Sequence, residues 1–378
     1  MDFNLTVEQQ MLQDSARRYG AEHHVFTAWR ARIARGEAFE RKSWANMAEL
    51  GWLALNVPED LGGLDATPVE TMVICEALGR HLMLEPFVSS CVIAPQLLRE
   101  AGPRASELLA AIGAGEAMVS VADAEPDGRF NLNHVATRAE ATPGGFRLDG
   151  VKSHVLDGGV ADGFVIPART SGAVGDADGV SLFLASADTP GLVVEPSRAM
   201  DNRVNARLRL EGVTLGQDAL LGEIGQGSAR LAQAIDAGVV ARLAEALGAM
   251  EAAYDMTLSY LRTRSQFGQP IGAFQALQHR IVDMAIACEE ARSMTYLATL
   301  SLSGAEPARS RTIAAAKARV SQTSLFVGRQ AIQLHGGVGF TEELAIGHYL
   351  KRLIMIDMAF GNADHHRTRL AELSRQAA

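Results

Sequence analysis

Residues Arg264 to Met284 read R-S-Q-F-G-Q-P-I-G-A-F-Q-A-L-Q-H-R-I-V-D-M, and the placement of this stretch decides how the rest of the chain is organised. Upstream of it Ala246, Met250, Ala253, Tyr254, Leu258 and Leu261 recur every three to four residues, which predicts a helix from about Ala229 to Arg264. Gly268, Pro270 and Gly272 break it. A second helix restarts near Phe274 and carries Leu277, Ile281, Met284 and Cys288 on one face. Two long helices are thus joined by a short hairpin, with Arg264 and Phe267 at the tip and Gln275 and Gln278 in the next helix's first turn. A fixed cation, an aromatic face and amides beside a helix N-terminus suit a phosphate-bearing aromatic ligand. Without further context, the same stretch is a helix-to-helix turn with an exposed arginine.

The texture to either side changes twice. Thr6 with Gln9 forms a capping-box pattern that opens an amphipathic helix through Met11, Leu12, Ser15 and Tyr19. Ser43 is placed to cap a helix from Trp44 to Leu50, and Thr67-Pro68 to open one from Val69 to His81. Helices over Phe87 to Glu100 and Ala105 to Ile112 complete an α-only region. Val57 to Gly63, V-P-E-D-L-G-G, reads as a turn whose glycines allow positive φ. From Met118 short β-type runs follow, at Met118 to Ala122, Val135 to Glu140, Gly145 to Leu148, Phe164 to Ala168, Val180 to Leu184 and Ala206 to Leu210. Their spacing and turn residues predict a small antiparallel barrel or sandwich. Asp176 to Gly179 is a turn, since the further oxygen ligands of a calcium loop are missing. A glycine-rich link at Gly222 to Gln226 returns the chain to helix, with long segments at Phe274 to Leu302 and Ala308 to Leu334 after the first. The expected domains are residues 1–117 (helical), 118–224 (β) and 225–378 (helical bundle), an α+β architecture.

Composition narrows the function. The 378 residues are 48% apolar and 21% charged, ordinary for a soluble globular chain. A net charge of -9 with no Lys/Arg run argues against a nucleic-acid partner and gives no attraction to a membrane. No apolar run approaches the roughly 18 residues of a membrane span, and the N-terminal M-D-F-N-L-T-V-E-Q-Q lacks a signal-peptide pattern, so a cytoplasmic protein is expected. Cys75, Cys91 and Cys288 are far apart within helical apolar patterns, as reduced core residues would be. No metal site is expected. His335 has no second metal-type residue spaced with it and reads as packing or hydrogen bonding.

The pattern R-x-Q-F-G-x-P-I-G-x-F-Q-x-x-Q-H-x-x-x-D-M resembles the flavin-contacting signature of the acyl-CoA dehydrogenase family. Gln333 to Glu343, Q-L-H-G-G-V-G-F-T-E-E, resembles that family's downstream Q-x-x-G-G-x-G-[FY]-T element, and the turn at Val57 to Gly63 resembles its [IV]-P-E-x-x-G-G. The resemblance implies an N-terminal helical domain, a middle β domain and a C-terminal four-helix bundle, with FAD as cofactor. It also implies that Arg264, Phe267, Gln275, Gln333, Gly336 and Gly337 reach the diphosphate and adenosine half of FAD across a subunit interface. Each residue type has a physical use there: guanidinium for phosphate, a ring for packing, amides for ribose or diphosphate, glycines for close backbone approach.

The reactive half departs from the family. Relatives remove the α-proton of an acyl-CoA thioester with a glutamate while flavin N5 takes the β-hydride. Aligning Lys351-Arg352 and Gly361 with the family's C-terminal Y-E-G-T segment puts Phe360 where that glutamate belongs. The alternative position, counted back from Arg264, falls near Gly238. The catalytic residue is therefore unknown; Asp236 is the nearest substitute, and Glu245 reads as a helix-surface charge paired with Arg242. On the sheet, the family's T-E-P-x-A-G-S-D is Ala124 to Asn131, and its K-x-W-I-T-N-G is Lys152 to Gly158. Hydroxyls and the indole that pack beside the isoalloxazine are replaced by Ala124, His154 and Leu156.

These losses, with G-N-A-D-H-H-R-T-R-L at Gly361 to Leu370, resemble the small or β-type subunits of heteromeric acyl-CoA dehydrogenases, such as the pimeloyl-CoA dehydrogenase small subunit. Three functions are in view. The first is a subunit that completes the FAD site of a large catalytic acyl-CoA dehydrogenase partner, acting on an acyl-CoA and passing electrons to an electron-transfer flavoprotein. The second is a self-sufficient homomeric enzyme, a dimer or tetramer, with its base at Asp236. The third is a non-catalytic paralogue that binds acyl-CoA or a partner.

Overall fold

The computed structural model describes residues 4–376. The chain forms two compact units: residues 1–36, 68–83 and 239–378 in one, residues 37–67 and 84–238 in the other. The boundary between 238 and 239 falls inside one long helix. In chain order the helices α1 (Val7–His23), α2 (Phe26–Ala34), α3 (Arg41–Glu49) and α4 (Pro68–Arg80) come first. A π turn (Val88–Ile93), α5 (Ala94–Leu98) and α6 (Pro103–Gly113) follow. Seven strands come next, β1 (Val119–Val121), β2 (Arg138–Thr142), β3 (Gly145–Val155), β4 (Gly163–Arg169), β5 (Val180–Ser186), β6 (Leu192–Arg198) and β7 (Val204–Gly216). After α7 (Gly227–Thr263) a two-stranded hairpin, β8 (Ser265–Gln266) and β9 (Gln269–Pro270), leads to α8 (Gln275–Ser301), α9 (Ala308–His335), α10 (Ala345–Met358) and α11 (Ala363–Gln376).

The α-then-β-then-α order matches the expectation, and the long helices lie within a few residues of their predicted limits. At Thr6 both bonds of the capping box form: its hydroxyl accepts from Gln9 N (3.2 Å) and Gln9 Oε1 accepts from Thr6 N (3.0 Å). The three residues before Asn4 lie outside the described residues. Ser43 is not a cap. Its helix begins at Arg41 with Glu40 as an uncapped N-cap, because a buried Trp44 and Met47 fix the helix by packing. The run from Phe87 to Glu100 is divided, a fully buried π turn feeding α5.

In the sheet-bearing unit the strand order is β1-β4-β2-β3-β7-β6, with β5 also on β4. β1 and β4 pair in parallel, and β2 meets β4 in parallel only at Arg138 and Arg169; the other pairings are antiparallel. The sequence missed β6, whose V-V-E-P-S-R segment is only partly buried and gives no alternation. Phe146, Leu148, Phe164, Phe183, Leu208 and Val213 belong to its core.

In the helical unit α4 and α7 cross backbone to backbone. A Cβ at Gly79 would overlap the carbonyl oxygen of Glu245, and one at Gly248 that of Glu76. Beside this crossing, Glu251 is largely buried near Glu76, with Arg292 as its ion-pair partner and Arg80 at 3.9 Å. Burial, then the Glu76 charge, push its carboxyl up to about 7.

Gly79→Ala is expected to cost roughly 1–3 kcal/mol or prevent folding, whereas Gly144→Ala, which meets nothing within 4 Å, should leave the thermal midpoint unchanged. Because the folded-state carboxyl of Glu251 binds its proton more tightly than the unfolded chain does, its contribution to stability is present below about pH 4.5 and is lost as the pH rises to about 7. Glu251→Gln should therefore gain on the parent by roughly 2–3 kcal/mol in denaturant unfolding at pH 8 and show no gain at pH 4; a difference independent of pH would contradict the placement.

Candidate functional site

The tip between α7 and α8 is a two-residue hairpin. Ser265 pairs with Pro270 and Gln266 with Gln269, and Phe267 and Gly268 turn the chain with φ of +53° and +82°. Two consecutive positive φ values are the signature of the turn that matches strand twist. Glycine adopts this without strain, but phenylalanine does not. Phe267 is nevertheless held there and is 91% exposed, with Phe274 edge-on at 6.0 Å. Arg264 is the first residue beyond α7. Its N–H donates to Tyr260 O (2.8 Å) and its carbonyl accepts from Ile271 N (2.8 Å), so the backbone is closed while the side chain stands in solvent.

Gln275 opens α8 and is exposed. The N-cap, Phe274, supplies no side-chain bond, which leaves first-turn N–H groups directed outward. Gln278 does not share that freedom, since its Nε2 donates to Gly272 O (3.0 Å).

The second motif ends α9. Gln333 is exposed on its last turn, and Gly336 (φ +63°, ψ -142°) stops the helix in a region open essentially to glycine alone. At Gly336 and Gly337 a Cβ would meet nothing within 4 Å, so neither glycine is demanded by packing at that spot, and both leave backbone open to a ligand. Gly339, by contrast, is packed on Ile332. His335 behaves as expected of a packing residue: it is buried, Nδ1 bonds Ala331 O (2.8 Å), and its ring stacks on Tyr260 at 4.5 Å and 25°. Burial lowers its pKa. That stack joins the last turn of α7, four residues before Arg264, to the end of α9, two residues after Gln333. Arg280 and Gln330 (3.5 Å) add a second link between α8 and α9.

The two positions expected to hold a base lack one. Phe360 lies between α10 and α11 with φ +57°, its carbonyl accepting from His366 Nε2 (2.9 Å). Lys317, fully buried, donates to the last carbonyls of α10, Ile356 O and Asp357 O (3.2 Å to the latter). Burial pushes its amine down to about 7, with Asp357 opposing. Glu245 corrects the surface reading. It has no exposed area and is held between the guanidinium groups of Arg242 and Arg352. The pairing with Arg242 is as expected; what the i,i+3 spacing could not reveal was Arg352, 107 residues away. Asp236 is 2% exposed and already takes part in a polar interaction.

On the sheet, Lys152 Nζ donates to Glu125 (2.6 Å), and Glu125 also accepts from the N–H groups of Ala136 (2.6 Å) and Thr137 (3.1 Å). Burial works to raise the Glu125 carboxyl, but the Lys152 charge and these bonds outweigh it and hold it low. Asp157 bonds Ser89 Oγ (2.9 Å) and Arg203 (3.2 Å), tying the π turn to the end of β3. His154 is exposed with φ +50° at a bulge between Lys152 and Val155. One acid that the sequence reading passed over, Asp123, sits half-buried at the end of β1; its only signal was a carboxylate closing an otherwise apolar run.

The exposed guanidinium, ring, amides and bare glycines fit the diphosphate and adenosine end of a flavin nucleotide. Fold and tip together define a flavin-nucleotide-binding protein of α–β–α build. Three family models match in order: the acyl-CoA dehydrogenase N-terminal domain at residues 6–107, the middle domain at 120–213 and the C-terminal domain at 225–374. The chain belongs to the acyl-CoA dehydrogenase family. It is 29% identical over 348 residues to the mitochondrial short-chain specific acyl-CoA dehydrogenase of Bos taurus, covering 90% of this chain and 84% of that one. Among solved structures, the ChsE4-ChsE5 complex from Mycobacterium tuberculosis matches with TM-score 0.89, 26% identity and 98% of each chain covered. The FAD complex of PigA matches with TM-score 0.90 and 27% identity over 100% of both. No helix among the described residues is long and apolar enough to cross a membrane.

Arg264→Ala should weaken FAD binding by roughly ten- to a hundredfold, the worth of a charge-assisted bond to phosphate, measured as flavin retained after dialysis. Phe267→Asn relieves the left-handed strain and should leave the thermal midpoint equal or higher while lowering flavin retention. If the asparagine variant keeps its flavin in full, the ring has no part in the grip.

Proposed function

We propose that this chain is a subunit of an FAD-dependent acyl-CoA dehydrogenase that completes the flavin site of a separately encoded catalytic partner in the cytoplasm. The observation that carries this is the pairing of an intact nucleotide grip with the lack of a usable base. Arg264, Phe267, Gln275, Gln333, Gly336 and Gly337 stand exposed on one unit, whereas Phe360 and Gly238 align by resemblance with the base positions of relatives and Glu245 is committed to two arginines. When bound, FAD accepts the hydride that leaves Cβ of the acyl-CoA.

What this chain's own residues contribute is positioning. Arg264 neutralises diphosphate charge, and the open turn of α8 presents N–H donors to the same group. Phe267 offers an apolar face to a ring. Gly336 and Gly337 let backbone approach ribose. A phenyl ring at Phe360 can wall a thioester pocket but cannot accept its α-proton, so the carboxylate comes from the partner. The likeness to the ChsE4-ChsE5 complex supports assembly with a second, related chain, and an electron-transfer flavoprotein is the fitting acceptor for a reduced flavin.

Purified alone and saturated with FAD, the chain should oxidise acyl-CoA at least about a hundredfold more slowly than when co-expressed with its large-subunit partner, the usual worth of a positioned general base. Equal turnover by the isolated chain would select a self-sufficient enzyme, with Asp236 the first residue to test. A co-purified complex without FAD would select a non-catalytic paralogue.

A further inference from the structure

Strand β2 runs past the end of β4. Arg138 and Arg169 form their single register pair, and from there the two chains part. Arg138 to Ala141 on one side and Arg169 to Gly172 on the other wall a cavity of about 280 Å³. The turn at Pro143-Gly144 fixes which backbone groups face that gap. Thr142 and Gly145 flank a two-residue loop and so form a hydrogen-bonded pair, and the same holds at every second step, for Glu140 with Arg147 and Arg138 with Asp149. Ala139 and Ala141 therefore turn their N–H and C=O groups away from β3. Thr137 has the same parity, and its carbonyl accepts from Arg169 N across this edge (2.8 Å). The ladder ends at that pair. Among the described residues nothing bonds Ala139 O, Ala141 N or Ala141 O, while across the cavity Thr170 N (2.8 Å) and Ser171 N (3.3 Å) both turn to Gly179 O.

The other face of β2 carries two charges that the fold leaves unanswered. Ala139 belongs to the sheet core, so Arg138 and Glu140 stand on the opposite face, both exposed. Their cross-strand neighbours on β3, Asp149 and Arg147, have complementary signs but pair with each other (3.1 Å), and Asp149 also accepts from Gly212 N (2.7 Å). Arg169 is occupied as well, its guanidinium donating to the carbonyls of Val135, Ser171, Asp178, Asn133 and Asp176. No described residue gives the side chain of Arg138 or Glu140 a hydrogen bond or an ion pair. An edge with unpaired donors and acceptors is a template for another strand, and opposite charges two residues apart select what that strand carries.

We propose that this edge is a docking site for an extended peptide segment of a separate polypeptide. The segment adds a strand to β2 along Ala139 to Thr142 and carries an acidic and a basic side chain two residues apart, the acid toward Arg138 and the base toward Glu140. A second copy of β2 would bring the end of its own β4 into the same narrow gap, so a strand without such a neighbour is the better fit. The site lies apart from the nucleotide grip and does not depend on the proposed function.

The test uses the full-length chain and two capped pentapeptides of alternating valine, one with lysine second and glutamate fourth, the other with these two exchanged. Binding is measured by titration and by deuterium exchange of backbone amides. One peptide should bind in preference to the other and slow exchange at Ala141 about tenfold or more. Ala141→Pro removes an N–H that faces the cavity and none that bonds β3, so the thermal midpoint should hold while peptide affinity falls about tenfold. Arg138→Glu combined with Glu140→Arg should reverse the preference between the two peptides, and it decides the matter even if the proline variant fails to fold. Failure of both peptides to bind at about 1 mM, or a preference that survives the charge exchange, overturns the proposal. So does a parent chain whose mass in sedimentation falls on Ala141→Pro, since the edge then belongs to a second copy.

Discussion

A carboxylate with no exposed area, Glu245, is gripped by two guanidinium groups, and the helical unit is built round that contact. Burying one ion costs several kcal/mol unless its partners are close and well placed. Arg242 supplies one partner from the same helix and Arg352 the other from α10. Arg352 also donates to Met83 O (3.0 Å), and Tyr349 Oη, one turn away, to Arg80 O (2.6 Å). Helix α10 is thereby pinned to the end of α4, and the glycines at 79 and 248 bring α4 against α7. The same contact has a chemical consequence. An acid engaged on both oxygens by arginines is structural, so Glu245 is spent on the fold.

The tip of the α7–α8 hairpin spends stability in the opposite way. Phe267 is held in a left-handed conformation that disfavours it, with its ring in water, an arrangement that a folding-only criterion would remove. Strain of this kind persists where surrounding bonds over-determine the backbone, and here the Arg264–Tyr260 and Ile271–Arg264 bonds do so. The Tyr260–His335 stack then sets the second motif beside the first, although about seventy residues of chain separate them. Rigid backbone carrying free side chains is the design of a site that binds without rearranging.

How much of this could be read from the chain depended on whether a signal was local. Gly268 after Phe267, Pro270 and the capping box at Thr6 act within a few residues, and hairpin and helix start appear where they place them. The long helices followed from periodicity alone. β6 escaped because its burial is set by β7 across the sheet and leaves no alternation in its own residues. Ser43 failed as a cap because Trp44 and Met47 set the helix by packing. Glu245 looked like a surface charge because its second partner lies 107 residues on, and the pairs Glu125–Lys152 and Asp157–Arg203 are 27 and 46 residues apart. Of the candidate site, resemblance alone singled out the exposed residues of the two motifs. The buried charges were not legible, since each one's role is decided by a partner that only folding brings near.

The departures from a self-contained enzyme lie on elements with little reason to change together. Phe360 is in the α10–α11 corner, where Lys317 and His366 fix the backbone by its carbonyls whatever side chain it bears. Gly238 is in α7, and Ala124, His154 and Leu156 are on the sheet. What they share, by resemblance, is the reacting end of one cofactor, whereas the residues that resemblance assigns to its other end are exposed. In the proposed assembly a different polypeptide supplies the half of the site that these positions lack.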